Sequence, residues 1–260
     1  MGKLSDVLKS WPSGTVVVQS WFDQRQIGRQ LAHKYVKGGW IEKIGHGAYI
    51  RAGETVDWLG GIYALQHQLE LPIHVGGKTA LELMGRAHFV PLGKNRVFNL
   101  YNHGLHPNRH LPRWFLEYFK DHTFNYSPNI LFRDKIGLED WDWGTFQITI
   151  SSTERALLEI LAWIPKKVSF EHGLLLLQGK DTLRVDLLQE LLQDCRSQVT
   201  KRLFLYLAKR CQLPWVERLN VEVLALGEDK RKIGDGEHYD PEFKLFVPKL
   251  SIDEENNEGL

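Results

Sequence analysis

The sequence predicts an α+β fold, and three observations support that class. Apolar residues recur at helical spacing in several separate segments of the chain. Short runs rich in β-branched and aromatic residues, which are typical of strands, lie between these segments. Glycine and proline residues occur at the boundaries of both kinds of segment. The mixture of helical and extended segments therefore predicts an α+β architecture.

Residues 15–51 predict two short helices followed by a hairpin. The first helix is expected to begin after a cap at Thr15. Its apolar stripe comprises Val17, Val18, Trp21 and Phe22. A polar turn leads to a second helix over residues 28–37, which two consecutive glycines end. Residues 40–44 and 48–51 flank a glycine-bounded tip, so the segment as a whole predicts a winged helix-turn-helix.

The second predicted helix has one polar and one apolar face. Its polar face comprises Arg29, Gln30, His33, Lys34 and Lys37. Its apolar face comprises Leu31, Ala32, Tyr35 and Val36. In helix-turn-helix proteins the second helix enters the major groove of DNA, and its N-terminal residues reach the base edges. We therefore expect Arg29 and Gln30 to contact bases, because arginine pairs bidentately with guanine and glutamine with adenine.

Other DNA contacts are predicted along this helix and on the hairpin. We expect groove and phosphate contacts from His33, Lys34, Lys37, Lys43, His46 and Arg51. A winged helix can instead serve protein contacts alone, with its basic face merely solvated. The clustering of basic residues on one helix face favours double-stranded DNA as the partner.

Charge is unevenly distributed along the chain. The net charge is only +1, which argues against a general binder of polyanions. Residues 1–54 nevertheless carry eight basic side chains against four acidic ones, whereas residues 250–260 carry four acidic and no basic side chains. A basic N-terminal segment and an acidic C-terminal segment are typical of a nucleic-acid-binding protein whose positive charge is confined to one module.

Further helices and strands are predicted after the hairpin. The helices are predicted over residues 55–69, 79–84, 152–163, 169–178, 183–195 and 199–211. The strands are predicted over 73–75, 97–101, 129–132, 145–150, 230–233 and 244–247, the last two around a turn at 234–236. Ser151 and Glu154 are expected to form a capping box. We assign residues 1–91 to a winged-helix DNA-binding domain with a helical extension, 92–249 to a mixed α+β domain, and 250–260 to an acidic disordered tail.

Two patterns resemble ligand sites without meeting their requirements. Residues 77–79 resemble the end of a phosphate-binding loop, but Pro72 occupies the position of its first glycine. His103, His106 and His110 are close in sequence, but they lack the spacing and the additional partner of a metal site. We therefore predict neither a metal nor a cofactor.

Two further groups of residues leave alternatives open. The competing hypothesis is a nuclease-like enzyme guided by the winged helix, with Asp240, Glu242 and Lys244 in the second domain. Since a Glu-x-Lys pattern is common by chance, we predict no catalytic residues. The second basic group is interpreted either as a solvated helix face or as extra phosphate contacts, and it comprises Arg196, Lys201, Arg202, Lys209 and Arg210.

The sequence also predicts the cellular compartment. Cys195 and Cys211 fall in predicted helices without metal-ligand spacing, which indicates free thiols in a reducing environment. The first ten residues are mixed polar, unlike a signal peptide, and no run of about 18 apolar residues could span a bilayer. We therefore expect a cytoplasmic protein with no membrane partner.

Several segments of the chain resemble a known family. They are residues 8–16, 29–32, 39–49 (GWIEKIGHGAY), 75–83, 150–156 and 201–208. In these segments the chain is similar to bacterial type IV toxin–antitoxin antitoxins of the AbiEi class. Members of that class combine an N-terminal winged-helix domain with a C-terminal antitoxin domain. The resemblance extends over roughly residues 8–248.

The resemblance implies a transcriptional repressor without enzymatic activity. The implied DNA partner is the promoter of its own toxin–antitoxin operon. The implied role of the C-terminal domain is to counter a nucleotidyltransferase-type toxin, without obligatory direct contact, in phage abortive infection or in the maintenance of mobile elements. The chain departs from the family pattern at two positions, with Gly28 in place of a Ser-like cap and His46 where arginine is common.

Overall fold

The computed structural model describes residues 3–85, 96–104 and 110–249. The chain divides into two compact units, each assembled from separate stretches. The first unit contains the described residues of 1–75, 92–129 and 139–150, and the second unit contains those of 76–91, 130–138 and 151–260. The predicted domain boundary near residue 91 and the predicted tail lie outside the described residues.

Helices and strands of the described residues confirm the predicted α+β class. The helices are α1 (Lys3–Ser10), α2 (Gln19–Gln24), α3 (Arg29–Lys37), α4 (Trp58–Tyr63), α5 (Gly77–Leu83), α6 (Arg113–Tyr118), α7 (Thr153–Leu161), α8 (Phe170–Leu177), α9 (Val185–Asp194) and α10 (Gln198–Arg210). The strands are β1 (Val17–Val18), β2 (Ile41–Gly45), β3 (Ala48–Arg51), β4 (Ile73–Val75), β5 (Val97–Asn102), β6 (Thr123–Ser127), β7 (Leu138–Trp143), β8 (Phe146–Ser151), β9 (Arg231–Lys232), β10 (His238–Asp240) and β11 (Leu245–Val247). A π-helical turn, Ala64–Gln68, continues α4.

The N-terminal elements of the first unit form a winged helix. A three-stranded antiparallel sheet has the order β1-β3-β2, and α2 and α3 precede the β2–β3 hairpin, which is the wing. The second predicted helix and both hairpin strands are confirmed, with ends that shift by at most one residue. The predicted winged helix-turn-helix is therefore confirmed.

The first predicted helix begins later than expected. Val17 and Val18 form β1, which pairs with β3, and α2 starts at the next residue. The helical interpretation of these two valines was wrong, because pairing with the wing satisfies their backbone groups and β-branched side chains favour extended backbone. The Thr15 hydroxyl donates to the carbonyl of Pro12 at 2.7 Å, so Thr15 does not cap α2.

An aromatic cluster joins the helices of the winged helix to its sheet. The rings of Trp11 and Phe22 meet edge to face with centroids 5.8 Å apart, and the Tyr49 ring lies 5.3 Å from that of Phe22. Trp11 and Phe22 are fully buried, and the indole N–H of Trp11 donates to the carbonyl of Thr15. Because burying a large apolar side chain contributes about 1.5–3 kcal/mol, this cluster holds α2 and the wing in a defined arrangement.

A five-stranded sheet completes the first unit, in the order β6-β5-β4-β8-β7. β5 runs parallel to β6 and β4 runs parallel to β8, whereas β4 and β5 are antiparallel. Aromatic rings fill the space between this sheet and the helices α4 and α6. The Trp58 ring lies 4.3 Å from that of Phe98, and the Phe115 ring lies 4.7 Å from that of Phe124.

Two strands differ from the prediction. The strand expected over residues 129–132 lies instead at Thr123–Ser127, where it pairs with β5. Phe132 makes only an isolated bridge, to Cys195 within the second unit. Residues 138–143 form β7, for which no strand was predicted. Both errors have one cause, because neighbouring strands rather than intrinsic preference decide which short segments become extended.

Helices dominate the second unit. α7 is buried along its whole length and packs against α5, α8, α9 and α10. Its N-cap is Ser152, whose hydroxyl accepts a backbone N–H of the first turn. The predicted capping box was therefore wrong. Ser151 instead donates to the Glu159 carboxylate at 2.8 Å, and Glu154 pairs with Arg184 at 2.7 Å.

A small sheet ends the described chain, in the order β10-β11-β9. Both predicted strands and the turn at residues 234–236 are present, but the turn leads from β9 into β10, and β9 and β11 pair in parallel. The antiparallel neighbour of β11 is β10, which the sequence analysis did not predict. Cys195 and Cys211 are free thiols, as expected.

Candidate nucleic-acid interface

Helix α3 presents the polar face that the sequence predicts. The exposed residues of this face are Arg29, Gln30, His33, Lys34 and Lys37. Ala32 on the opposite face is fully buried. The N-cap is Gly28, with extended backbone (φ −67°, ψ 167°) and no side-chain acceptor for the first turn. Gly39 follows the helix at φ +68°, a conformation that glycine adopts without strain. One face of α3 is thus anchored and the other is open to solvent.

The wing carries two more of the predicted residues. Lys43 lies on β2 and His46 lies at the tip between β2 and β3, and both side chains are exposed. The register is irregular between Lys43 and Gly45, directly before the tip. Gly47 completes the reversal at φ +67°, so a glycine is required at this point of the tip.

A cleft of about 430 Å³ lies between α3 and the wing. Arg29 and His33 line it from α3, and Lys43 and His46 line it from the wing. We call it the basic cleft. Apolar and aromatic residues complete its walls, among them Val18, Val36, Tyr49 and Trp114. The structure therefore brings four of the predicted residues together from two separate elements, and the positive charges of Arg29 and Lys43 among them attract a polyanion.

Gln19 connects the elements on either side of the basic cleft. Its buried side-chain amide donates to Asp23 Oδ1 at 2.8 Å and to the carbonyl of Ile27 at 3.1 Å, and it accepts from the Tyr49 hydroxyl at 3.1 Å. Its backbone N–H donates to the carbonyl of Gly47 at 2.8 Å. Burial raises the pKa of the Tyr49 phenol, and the Arg29 charge opposes that shift. Gln19 was not predicted, because no local sequence pattern distinguishes a polar residue that packs inside the fold from one at the surface.

Arg51 is placed apart from the other predicted contacts. Its guanidinium donates to the Glu54 carboxylate at 3.2 Å and to the carbonyls of Leu8, at 2.8 Å, and Trp11. The side chain thus joins the end of β3 to the C-terminal end of α1, and it does not line the basic cleft. The Arg51 guanidinium, which was predicted to contact a DNA phosphate, therefore donates to acceptors within the protein.

Each of the three residues of the nuclease hypothesis has a partner within the protein. Asp240 Oδ1 accepts a backbone N–H of its own turn at 2.7 Å. Glu242 pairs with Lys209 at 2.5 Å, and Lys244 pairs with Glu228. Nowhere in the part of the chain that the structure describes do three or more His, Cys, Asp or Glu side chains form a group that could hold a metal ion.

The two other patterns have structural partners. The backbone N–H of Gly77, in the segment that resembles a phosphate loop, donates to the buried Glu159 carboxylate at 2.9 Å. A carboxylate of the protein thus takes the position that a phosphate would need. His103 contacts His74 with 3.2 Å between their Nδ1 atoms, while His106 lies outside the described residues.

The second basic group is divided between the surface and the interior. Its exposed members are Arg196, Lys209 and Arg210. Lys201 and Arg202 are buried, and burial lowers the pKa of the Lys201 amine. Arg202 donates to the carbonyls of Leu226 at 2.5 Å and Asp229 at 2.6 Å, so it fastens a loop onto α10. Neither interpretation offered from the sequence describes these two buried residues.

Comparison with solved structures shows the same fold in another protein. The crystal structure of the RV2827C protein from Mycobacterium tuberculosis matches with a TM-score of 0.55 and 16% sequence identity, over 99% of this chain and 93% of that chain. No curated protein matches the sequence. Among the described residues, every helix is too short or too polar to cross a membrane.

Two family models cover nearly the whole chain. Residues 1–92 match the model described as a transcriptional regulator, the AbiEi antitoxin N-terminal domain. Residues 104–248 match the model described as a transcriptional regulator, AbiEi antitoxin, of a type IV toxin–antitoxin system. The resemblance seen in the sequence is thereby confirmed. The chain belongs to the AbiEi antitoxin family of transcriptional regulators from type IV toxin–antitoxin systems.

Proposed function

We propose that this regulator binds double-stranded DNA at its own promoter, in the cytoplasm, and represses its own toxin–antitoxin operon. The observation that carries the proposal is the basic cleft, where Arg29 and His33 of α3 face Lys43 and His46 of the wing. A recognition helix in the major groove with a wing on the adjacent backbone needs cationic side chains on these two elements.

The proposed contacts divide by position on the winged helix. Arg29 and Gln30, in the first turn of α3, read base edges. His33, Lys34, Lys37, Lys43 and His46 contact the groove and the phosphates, which add affinity without sequence preference. Arg51 supports this surface from inside through its bonds to α1, and it is left out of the direct contacts.

The decisive experiment measures binding to the promoter. Fluorescence anisotropy compares the upstream region of the operon with a scrambled duplex of equal length across a salt series. We expect promoter binding to be tighter by roughly a thousandfold or more, with an affinity that falls steeply as salt rises. Equal, weak binding to both duplexes would refute promoter recognition, and the absence of any salt-dependent affinity for DNA would indicate a winged helix that serves protein contacts.

We further propose that the second unit counters a nucleotidyltransferase-type toxin without obligatory contact between the two proteins. The family match over residues 104–248 supports this role. Co-expression of this chain with a nucleotidyltransferase-type toxin, each under a separate promoter, is expected to restore growth. The Arg29→Ala variant is the matched control, because antitoxicity that is independent of DNA reading survives it. Toxicity that persists with the wild-type chain would refute the antitoxin role.

A further inference from the structure

Helix α6 lies alongside strand β2 of the wing. A Cβ atom at Gly45 would lie 2.6 Å from the Cβ of Trp114, so the helix and the strand approach more closely than a side chain allows. Burial and, to a lesser degree, the Glu42 carboxylate raise the pKa of the Tyr118 phenol, so Tyr118 is within electrostatic reach of Glu42. Since Gly45 adjoins the wing tip and Glu42 its base, α6 runs from the tip towards the base.

The first residue of α6 is therefore at the tip end of the wing. Trp114 lines the basic cleft itself, and Arg113 directly precedes it. The Arg113 side chain is 89% exposed, and its Nε donates to Glu117 at 2.7 Å, one turn along the same helix. An exposed pair of this kind is weak and screened by salt. The Arg113 guanidinium can therefore leave the Glu117 carboxylate and bind a phosphate instead.

We propose that Arg113 contacts a DNA backbone phosphate beside the wing tip, which makes α6 a third DNA-contacting element next to α3 and the wing. This inference rests on the DNA binding proposed above. Arg113 lies in the segment that matches the antitoxin family model, beyond the residues that match the N-terminal model. The structure nevertheless groups it with the winged helix in the first unit. The DNA-binding surface thus draws on sequence outside the N-terminal family domain.

Salt-dependent binding of three variants of the full chain tests this contact. We expect Arg113→Ala to weaken binding to the promoter and to the scrambled duplex alike, by about fivefold at about 0.15 M salt, the electrostatic share of one phosphate contact. The slope of log affinity against log salt decreases by about one unit. Arg113→Lys keeps the charge and is expected to retain the wild-type slope. Lys120→Ala, an exposed cation just beyond the base end of α6, is expected to change neither quantity.

The outcomes separate this contact from the function on which it rests. Wild-type affinity and slope in Arg113→Ala, combined with promoter binding that Lys37→Ala weakens, would overturn the inference and leave the repressor function standing. Equal losses in Arg113→Ala and Lys120→Ala would also overturn it, because they indicate a general charge effect. A wild-type chain that binds no DNA would overturn both. Thermal unfolding of each variant checks that the exposed substitutions leave the fold intact.

Discussion

Arg29 and Lys37 share the exposed face of α3 but lie at its opposite ends. Arg29 is in the first turn and lines the basic cleft, where a recognition helix reads base edges. We expect Arg29→Ala to weaken promoter binding by about 1–3 kcal/mol, the contribution of one bidentate base contact. Binding to a scrambled duplex is expected to change little. Anisotropy titrations on both duplexes measure this ratio, and equal losses on the two would exclude base reading by Arg29.

Lys37 is the contrasting case, because it lies in the last turn of α3 and outside the lining of the basic cleft. We expect Lys37→Ala to weaken binding to both duplexes by the same factor and to reduce the salt slope by about one unit. The salt series measures both quantities. A loss confined to the promoter duplex would contradict a phosphate contact and assign Lys37 to base recognition.

The exposed face of α3 could be predicted from the sequence, whereas the internal contacts of Arg51 and Gln19 could not. Helical periodicity assigns each residue to a face, and the five polar residues of α3 follow that rule. Arg51 follows no such rule, because a basic residue at the end of a strand has the same sequence pattern whether it binds a phosphate or the carbonyls of Leu8 and Trp11. Gln19 owes its position to partners that are distant in sequence, such as Tyr49.

At the scale of elements, Gln19 fixes the wing relative to α2. We expect Gln19→Ala to destabilise the fold by about 1–3 kcal/mol, because the Tyr49 hydroxyl loses its acceptor in a buried setting. Promoter affinity is expected to fall while the salt slope stays constant, since no phosphate contact is lost. Urea unfolding and the salt series measure the two effects. Gln24→Ala, exposed on the same helix, is the control, and a slope reduced by one unit in Gln19→Ala would indicate direct phosphate contact.

Helix α7 carries charge on its buried surface. The Glu154 carboxylate is buried and accepts from the Arg184 guanidinium, at 2.7 and 3.2 Å, and from the Arg184 backbone N–H, at 2.9 Å. Burial alone would raise the pKa of Glu154, but these hydrogen bonds outweigh it and lower the pKa below its ordinary value. Because the folded pKa is depressed, the stabilisation is complete above the unfolded pKa of about 4.3 and is lost as pH falls through the folded value.

The lowered pKa of Glu154 leads to a prediction for Arg184→Ala. At about pH 7 we expect a loss of about 1–3 kcal/mol in the free energy of unfolding, because Glu154 remains buried with fewer donors. The difference from wild type is expected to be smaller at about pH 3, below the unfolded pKa of about 4.3, because the stabilisation of Glu154 by Arg184 declines as pH falls towards the depressed folded pKa. Urea titrations at the two pH values measure it. Arg218→Ala removes an exposed arginine of the same unit and serves as the control. A loss of unfolding free energy in Arg184→Ala that does not depend on pH would contradict its assignment to the Glu154–Arg184 pair.

The elements that were not predicted from the sequence are those that depend on partners distant in the chain. The periodic segments that became α7 to α10 were predicted because amphipathic spacing is a local signal. α6 has only six residues, too few to show that period. β6 and β7 are edge strands whose extended backbone follows from pairing within the five-stranded sheet. Pairing between distant segments leaves no local pattern in the chain.

The two family matches divide the chain at a different place from the two compact units of the structure. The matches divide it between residues 92 and 104, whereas the first unit also includes residues from 110–129 and 139–150. β4 shows the consequence, because both of its neighbours in the sheet, β5 and β8, come from beyond residue 92. An N-terminal segment that ends there contains a central strand without its neighbours.

A fragment of residues 1–92 is therefore expected to be less stable than the first unit in the full chain. It lacks Phe98 and Phe124, whose rings lie 4.3 and 6.0 Å from that of Trp58, and Trp114, which packs against Gly45 of the wing. Each lost burial costs about 1.5–3 kcal/mol, against total stabilities of about 5–15 kcal/mol for a domain. We expect urea to unfold this fragment at a lower concentration than a fragment of residues 1–150, which contains every stretch of the first unit, and promoter affinity to follow the same order. A 1–92 fragment that unfolds cooperatively at the same urea concentration and binds with the same affinity would show that the winged helix needs no support from the later strands or from α6.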